Sequence, residues 1–333
     1  MSAPRLELAL SGGGLDLSGT GRIAVFAPRA GMDLSVLPRD RVLVVSGFRP
    51  DVEGFEAAGY ATSVAAEGRF DAAIVFLPRA KRLAEALVAQ AVAVSDGPVV
   101  VDGARTDGIE GVLKAVRKRV AVEGPINKAH GKLFWFSGGD FTDWAAAEPA
   151  PLEGGWITAP GVFSADGIDP ASALLAAALP AKLSGKIADL GAGWGYLASE
   201  VLKRDGVKSI DLVEADHAAL DCARRNVTDP RARFHWADAT RWRPETLMDA
   251  VVMNPPFHTS RTADPGIGQA FIRAAAGMLR PGGRVWIVAN RHLPYETVIA
   301  GTFGAVEEIG GDTRFKVMTA TLAPRNARHN RVS

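Results

Sequence analysis

The chain is poor in cysteine and in long apolar runs. Its single cysteine, Cys222, cannot form an internal disulfide or a thiolate zinc cluster, so packing must hold the fold and we expect a buried apolar role for it. No run approaches the ~18 uncharged apolar residues of a membrane span, and the N-terminus lacks the basic start and apolar core of a signal peptide. We therefore expect a cytoplasmic protein with no membrane partner and no bound metal.

An excess of charge of either sign is also lacking. The 38 lysines and arginines nearly balance the 37 aspartates and glutamates, so a polyanionic partner would have to be met by a local basic patch. A length of 333 residues with 47% hydrophobic composition favours two globular domains. The composition changes at AAAEPAPLEGGW, residues 145–156, and this predicts domains over residues 1–150 and 151–333.

Short β-rich runs alternate with amphipathic helical segments in both halves. In the second half KIADL, SIDLVE, DAVVMN and RVWIVAN are each followed by a helical pattern, which predicts an α/β fold with a parallel sheet. The last segments, AVEEIG and RFKVMTATL, predict an antiparallel hairpin at one edge. Asp169 followed by Pro170 predicts the start of a helix. The similarity of FDAAIVFLPRA (70–80) to MDAVVMNPPFH (248–258) suggests a tandem duplication.

A glycine-rich turn follows the strand KIADL. Cβ atoms in such a turn would block the close approach of backbone to a ligand. Its Gly-x-Gly-x-Gly spacing differs from the dinucleotide fingerprint and suits a ligand without pyrophosphate. The residues are Asp189, Gly191, Gly193 and Gly195. Glu214 and Asp238 follow the next two strands, where they could accept ribose hydroxyls and an adenine amine. Each acid alone is better explained as a helix cap or a solvated charge, but together they predict a nucleoside site.

Asn254-Pro255-Pro256-Phe257 ends the strand DAVVM and is the most specific motif in the chain. An amine on an aromatic ring is a poor nucleophile because its lone pair is delocalised. The side-chain oxygen of Asn254 and the carbonyl of Pro255 could accept its N–H bonds and favour pyramidal geometry. The prolines fix that backbone, and Phe257 would stack on the base. We therefore predict that Asn254, Pro255 and Phe257 act on an exocyclic amine.

Residues 157–323 resemble the catalytic domain of class I S-adenosylmethionine-dependent methyltransferases. They are most similar to bacterial ribosomal RNA guanine-N2 methyltransferases of the small-subunit methyltransferase C type. The resemblance rests on PGVFSADGIDPASALL, DLGAGWGYL, NPPFH, VANRHLPYETVIAGTFG and TRFKVMTA. That family carries an N-terminal methyltransferase-like domain without cofactor binding. The first half is similar, because RVLVV runs into SGFRPD without a glycine triplet and IVFLPR lacks the Asn-Pro-Pro-aromatic motif.

The resemblance implies two tandem Rossmann-like methyltransferase domains, the first degenerate, and methyl transfer from S-adenosylmethionine to guanine N2 in 16S ribosomal RNA. Asn254 would then border the cofactor as well as the base. It also implies that Phe163, Ser164 and Asp169 close over the methionine end of the cofactor, although Asp169 is equally well explained as a helix cap. His258 and Asn290 are further candidate substrate contacts, and turn formation competes as the role of Asn290.

The ribosomal RNA, free or within the assembled small subunit, is the expected partner of a monomeric enzyme. Six basic residues of the first half could position it through phosphate contacts, although a solvated helix face is the default explanation of such a run. They are Lys114, Arg117, Lys118, Arg119, Lys128 and Lys132. An N6-adenine or protein glutamine methyltransferase remains an alternative, because either substrate presents the same N–H bonds. A non-catalytic RNA-binding assembly factor is the other alternative.

Overall fold

The chain folds into two compact units, residues 1–148 and 149–333. The structure is a computed structural model that describes residues 3–145, 151–256, 265–304 and 306–324. The domain boundary expected after residue 150 adjoins the stretch 146–150, which lies outside the described residues. None of the described helices combines the length and the apolar character needed to cross a bilayer.

The first unit contains a seven-stranded sheet and four α-helices in its described part. Its strands are β1 (Ile23–Phe26), β2 (Val42–Val45), β3 (Ala61–Ser63), β4 (Ala72–Phe76), β5 (Val99–Ala104), β6 (Glu123–Lys128) and β7 (Gly131–Phe136). Its helices are α1 (Pro4–Ser11), α2 (Arg49–Ala57), α3 (Lys81–Val94) and α4 (Ile109–Val116). Alternate residues of β1 enter different core clusters, Ile23 and Val25 in one and Ala24 and Phe26 in the other. The sheet is therefore covered on both faces.

The second unit repeats this architecture. Its strands are β8 (Gly185–Leu190), β9 (Val207–Glu214), β10 (Ala232–Trp236), β11 (Met248–Met253), β12 (Leu279–Asn290), β13 (Val306–Gly311) and β14 (Phe315–Thr321). Its helices are α5 (Pro170–Ala178), α6 (Tyr196–Leu202), α7 (His217–Asn226), α8 (Pro265–Met278) and α9 (Tyr295–Phe303). Asp169 caps α5 by accepting the N–H of Ser172 at 2.8 Å, with Pro170 in the first turn, as predicted. Cys222 is buried in α7, as expected.

The two sheets have the same strand order. The first is β3-β2-β1-β4-β5-β7-β6 and the second is β10-β9-β8-β11-β12-β14-β13. In each, five strands are parallel and the last two in the chain form an antiparallel hairpin at one edge, with the final strand inserted beside the fifth. The predicted hairpin and the two tandem α/β domains are therefore confirmed.

The similar segments 70–80 and 248–258 contain β4 and β11, which occupy the same place in the strand orders of the two sheets. In each unit an aspartate just before or within the start of this strand accepts a backbone N–H from near the start of the unit's first strand. Near β1, Gly21 donates to Asp71, and in β8, Lys186 donates to Asp249 at 2.7 Å. A Cβ at Gly21 or Gly185 would collide with that carboxylate. This shared arrangement supports the tandem duplication.

One prediction about the first unit was wrong. We expected RVLVV to stand where KIADL stands in the second unit, but RVLVV is β2 and corresponds to β9. Strand β1, which the sequence patterns missed, occupies the place of β8, because Ile23 pairs with Ala72 as Ile187 pairs with Ala250. The loop equivalent to the glycine turn is therefore Ala27–Gly31. Strand β1 is hard to recognise because it has only four residues among glycines and prolines.

Candidate functional site

The second unit gathers its polar candidates at the carboxyl ends of neighbouring strands. Asp189 lies in β8, Glu214 ends β9, Asp238 follows β10 and Asn254 follows β11, and these strands are adjacent in the order β10-β9-β8-β11. Carboxyl ends of parallel strands form the usual ligand-binding edge of an open α/β sheet.

The three predicted glycines all have positive φ, but each is needed for a different reason. A Cβ at Gly191 would come within 3.3 Å of Phe271, and one at Gly195 within 2.8 Å of Val227 in the connection after α7. A Cβ at Gly193 would meet nothing within 4 Å. Gly195 therefore serves packing, while Gly193 keeps the space above the loop open.

Glu214 holds this loop through its carboxylate. One oxygen accepts the N–H of Gly193 at 2.8 Å and the other accepts the N–H of Asp216 at 2.8 Å. Burial raises the pKa of Glu214, and these two donors partly offset that effect. Because each carboxylate oxygen can accept more than one hydrogen bond, Glu214 retains capacity for ligand hydroxyls.

Asp189 is completely buried, and neither carboxylate oxygen has a hydrogen-bond partner among the described residues. Burial and the neighbouring Glu214 raise its pKa to about 8. Such an orphaned acid is unusual in a folded core and marks a functional region. Asp238 is different, because it accepts the N–H and the hydroxyl of Thr240 at 2.8 and 2.6 Å and so shapes its own turn.

Asn254 is held by residues far away in the chain. Its amide nitrogen donates to Oδ2 of Asp169 and to Oγ of Ser172, both at 2.9 Å. An ionised carboxylate only accepts hydrogen bonds, so Asp169 fixes which end of the amide faces it. The amide oxygen, Oδ1, has no donor among the described residues and is left for a ligand. Asp169 is therefore both the predicted helix cap and a partner of Asn254.

The segment 156–165 packs against the glycine loop. Trp156, Trp194 and Tyr196 form an aromatic cluster with ring centroids 5.3 to 6.0 Å apart, and Trp194 donates to the carbonyl of Phe163 at 3.1 Å. Asn226, the last residue of α7, donates to the carbonyls of Ile157 and Trp194 and accepts the N–H of Ile157, each at 2.8 Å.

These elements enclose a cavity. Its lining residues are Phe163, Ser164, Asp169, Ser172, Gly191, Ala192, Gly193, Trp194, Tyr196, Leu197 and Asn254. Phe163 lines this cavity and is 55% exposed, which suits a ligand contact. Of the predicted site residues, the cavity brings together Gly191, Gly193, Asn254, Phe163, Ser164 and Asp169, whereas Gly195, Asp189, Glu214 and Asp238 are not part of its lining.

The remaining candidates are not part of this lining as far as the structure describes them. Phe257 and His258 fall outside the described residues, and Pro255 is buried. Asn290 is half-buried at the end of β12, where its carbonyl accepts the N–H of Leu293. Sequence reasoning missed Ser172 and Asn226. Ser172 could have been found from its position three residues after the helix cap Asp169. Nothing in the local sequence marks Asn226.

The predicted basic cluster of the first unit divides into two groups. Arg119 donates to the carboxylate of Asp143 and lies over two aromatic rings, and Lys132 pairs with Glu110, so both serve the unit's own structure. Helix α4 ends at Val116, which places Arg117, Lys118 and Arg119 beyond its last residue. Lys114, Arg117, Lys118 and Lys128 remain exposed.

Comparisons with known proteins identify the family of this chain. A family model described as the methyltransferase small domain matches residues 153–319. Ribosomal RNA small subunit methyltransferase C of Shewanella sp. (strain MR-4) is 30% identical over 265 residues, which cover 75% of this chain and 77% of that protein. The chain belongs to the ribosomal RNA small subunit methyltransferase C family.

Two further family members extend the comparison. The protein of the same name from Serratia proteamaculans is 34% identical over 174 residues, covering 51% of this chain and 50% of that protein. The solved structure of the T. thermophilus 16S rRNA N2 G1207 methyltransferase, in complex with AdoMet and guanosine, matches with a TM-score of 0.77 at 24% identity. The match covers 92% of this chain and 89% of that one, so the two-unit fold is shared along nearly the whole chain.

Proposed function

We propose that this protein transfers a methyl group from S-adenosylmethionine to the N2 amine of a guanine in 16S ribosomal RNA. The observation that carries the proposal is the orientation of Asn254, whose amide nitrogen is held by Asp169 and Ser172 while its oxygen has no donor among the described residues. The T. thermophilus relative binds AdoMet and guanosine, and this supports both substrates.

The residues present fit the cofactor. The open space over Gly193 is where a Cβ would intrude on a ligand, and Glu214 stands beside that space with acceptors for ribose hydroxyls. Phe163, Ser164 and Asp169 line the same cavity and would hold the methionine end. Gly191 and Gly195 would shape the loop, Asp189 would support it from below, and Asp238 would accept from the adenine amine. Bound S-adenosylmethionine would supply an electrophilic methyl group on its sulfonium.

The chain's own chemistry is mainly positioning. Oδ1 of Asn254 and the carbonyl of Pro255 would accept the two N–H bonds of the target amine and turn its lone pair toward the methyl group, while Phe257 stacks on the base. His258 and Asn290 would contact the RNA or the base. Methyl transfer leaves the amine cationic and strongly acidic, so water can take its proton and a general base is not required. Alignment of this kind can account for a large part of a rate enhancement.

We further propose that the enzyme acts as a monomer in the cytoplasm on ribosomal RNA, free or within the assembled small subunit, and that the first unit positions that RNA. The target guanine must leave its stack to reach the Asn254 cavity, which costs a few kcal/mol unless the RNA is already open there. Binding by a second unit offsets that cost.

The test is transfer of a labelled methyl group by the full chain to assembled small subunits, free 16S ribosomal RNA, DNA and protein, followed by identification of the product nucleoside. We expect N2-methylguanine, with Asn254→Ala inactive and still able to bind S-adenosylmethionine. Asn127→Ala, in the first unit, is the matched control and should stay active. N6-methyladenine or methylglutamine as the product would refute the guanine assignment. No transfer to any substrate would favour an assembly factor.

A further inference from the structure

Three arginines follow three neighbouring strands of the first unit. Phe26, Val75 and Val101 lie in one row across β1, β4 and β5. The residues that lie three or four positions beyond that row, at the carboxyl ends of these strands, are Arg29, Arg79 and Arg105. We call these three residues the carboxyl-edge arginines.

The equivalent positions of the second unit follow from the register of its own strands. There the row is Leu190, Met253 and Ile287 across β8, β11 and β12. The same steps along the chain lead to Gly193, Phe257 and Arg291. The first unit therefore carries Arg29 where the second carries Gly193 of the glycine loop and Arg79 where the second carries Phe257, whereas Arg105 matches another arginine, Arg291.

The first unit has also lost the acids that a nucleoside site needs. By the same register Val25 replaces Asp189, Ser46 replaces Glu214 and Phe76 replaces Asn254. Arg29 replaces Gly193, so the position that is left open in the second unit carries a long side chain in the first. This edge is therefore unsuited to S-adenosylmethionine, and its chemistry is that of an anion site.

The carboxyl-edge arginines are exposed and weakly engaged. The side chains of Arg29 and Arg105 are 62% and 74% exposed, and their nearest carboxylates are Asp51 at 3.7 Å and Glu110 at 4.0 Å. Arg79 is exposed and has no ion pair among the described residues. None of the three guanidinium groups donates a hydrogen bond to a described residue. Their donors remain available for an external anion.

Arginines at the opposite, amino-terminal edge of the same sheet behave differently. Arg41 donates to the carbonyls of Gly21 and Leu17, and Arg69 donates to two carbonyls and to Asp96. Those side chains stabilise loops of the unit itself. The contrast shows that the carboxyl-edge arginines do not serve the fold in the same way.

The surroundings of this edge favour nucleic acid over a small anion. Phe48 follows the adjacent strand β2 and is 40% exposed, so it offers a face on which a base can stack. Asp51, the acid nearest to Arg29, is buried and not exposed at this edge. It accepts the N–H of Ala30 at 2.7 Å, and burial raises its pKa. Strands in a sheet lie about 4.8 Å apart, so cations on three neighbouring strands can meet successive phosphates.

We propose that the carboxyl-edge arginines bind phosphates of the substrate RNA, so that the degenerate unit uses its former cofactor edge as the RNA-positioning surface. The identity of that RNA as 16S ribosomal RNA rests on the proposed function. Arginine suits this task because its planar donors match phosphate oxygens.

The test compares two charge-matched triple variants of the full chain. One is Arg29→Gln/Arg79→Gln/Arg105→Gln, and the other is Lys114→Gln/Arg117→Gln/Lys118→Gln, which removes the exposed cations in and after α4. Affinity for a 16S ribosomal RNA transcript is measured over a series of salt concentrations. Unfolding curves and S-adenosylmethionine affinity establish that each variant is folded.

We expect the carboxyl-edge variant to bind the transcript about 10-fold or more weakly. We also expect the slope of its log affinity against log salt concentration to become shallower by about 2 to 3, because each phosphate contact contributes about 0.7 to 0.9 to that slope. We expect the α4 variant to lose less. An equal or larger loss in the α4 variant, or an unchanged salt dependence in the carboxyl-edge variant, would overturn the proposal. Failure of the guanine assignment is distinguishable, because it would appear in the methylated product of the wild type and leave this RNA affinity pattern unchanged.

Discussion

The amide nitrogen of Asn254 lies 2.9 Å from Oδ2 of Asp169, and the same oxygen accepts the N–H of Ser172 at 2.8 Å. One carboxylate thus caps α5 and orients the amide that follows β11. The pairing joins residues 85 positions apart. It links the stability of a helix terminus to the geometry of the proposed catalytic group.

Substitutions at Asp169 should separate these two roles. Ser caps a helix about as well as Asp, but its hydroxyl is too short to reach Asn254. We expect Asp169→Ser to unfold at nearly the same urea concentration as the wild type and to turn over about 10- to 100-fold more slowly. Asp169→Ala should lose about 1 kcal/mol of stability as well. Asp169→Asn, which keeps both an acceptor and the cap, should recover part of the rate. Equal turnover by the Ser and Asn variants would contradict the positioning role.

Two glycines of one loop should respond differently to a methyl group. Gly195→Ala adds strain at φ +93° and a Cβ 2.8 Å from Val227, so we expect a stability loss of about 2–4 kcal/mol in chemical unfolding. Gly193→Ala at φ +55° meets no protein atom and should lose about 1 kcal/mol. Its methyl group would occupy ligand space, so calorimetry should show at least about 10-fold weaker S-adenosylmethionine binding. Normal binding by Gly193→Ala would place the cofactor elsewhere.

The raised pKa of Asp189 predicts a pH-dependent stability. The folded state holds a proton on Asp189 up to a pKa of about 8, whereas the unfolded chain releases it near 3.8. Folding therefore binds a proton between these values, and this contribution to stability falls as pH rises, by up to about 1.4 kcal/mol per pH unit. Asp189→Asn removes it, so the stability of that variant relative to the wild type should increase from pH 5 to pH 7 in urea unfolding.

Asp229→Asn provides the control for this measurement. Hydrogen bonds from Arg231 lower the pKa of Asp229 to about 2, so its charge is constant over the same pH range. We expect the stability difference between Asp229→Asn and the wild type to be constant from pH 5 to pH 7. A constant difference for Asp189→Asn as well would mean that Asp189 is ionised in the folded protein.

Asn226 should be essential for holding the 156–165 segment on the glycine loop. In Asn226→Asp the donors to the carbonyls of Ile157 and Trp194 are replaced by an oxygen that repels them. We expect a loss of about 2–3 kcal/mol in urea unfolding, together with weaker S-adenosylmethionine binding, because two acceptors lose their partner. A variant with wild-type stability and affinity would show that other contacts hold this segment.

Local patterns predicted much of the second unit. The helical pattern predicted after SIDLVE is α7, His217–Asn226, and the structure adds that Asp216 caps this helix. Asp189, Glu214 and Asn254 could be placed at one edge because each ends or follows a strand. The first unit was harder, since β1 has only four residues and missing it misplaced the loop equivalent to the glycine turn, although the match of β4 to β11 was correct.

The amino-acid sequence by itself determined the two α/β halves, the glycine turn, the Asn-Pro-Pro-Phe motif and hence the family. These signals are local, because they depend on periodicity and on residue types that a turn or a strand end requires. Only the tertiary structure decided that Asp169 orients Asn254, that Asp189 is completely buried, and that three arginines of the first unit stand at one edge. Those facts depend on strand order and register, which bring distant residues together through the packing of the whole sheet.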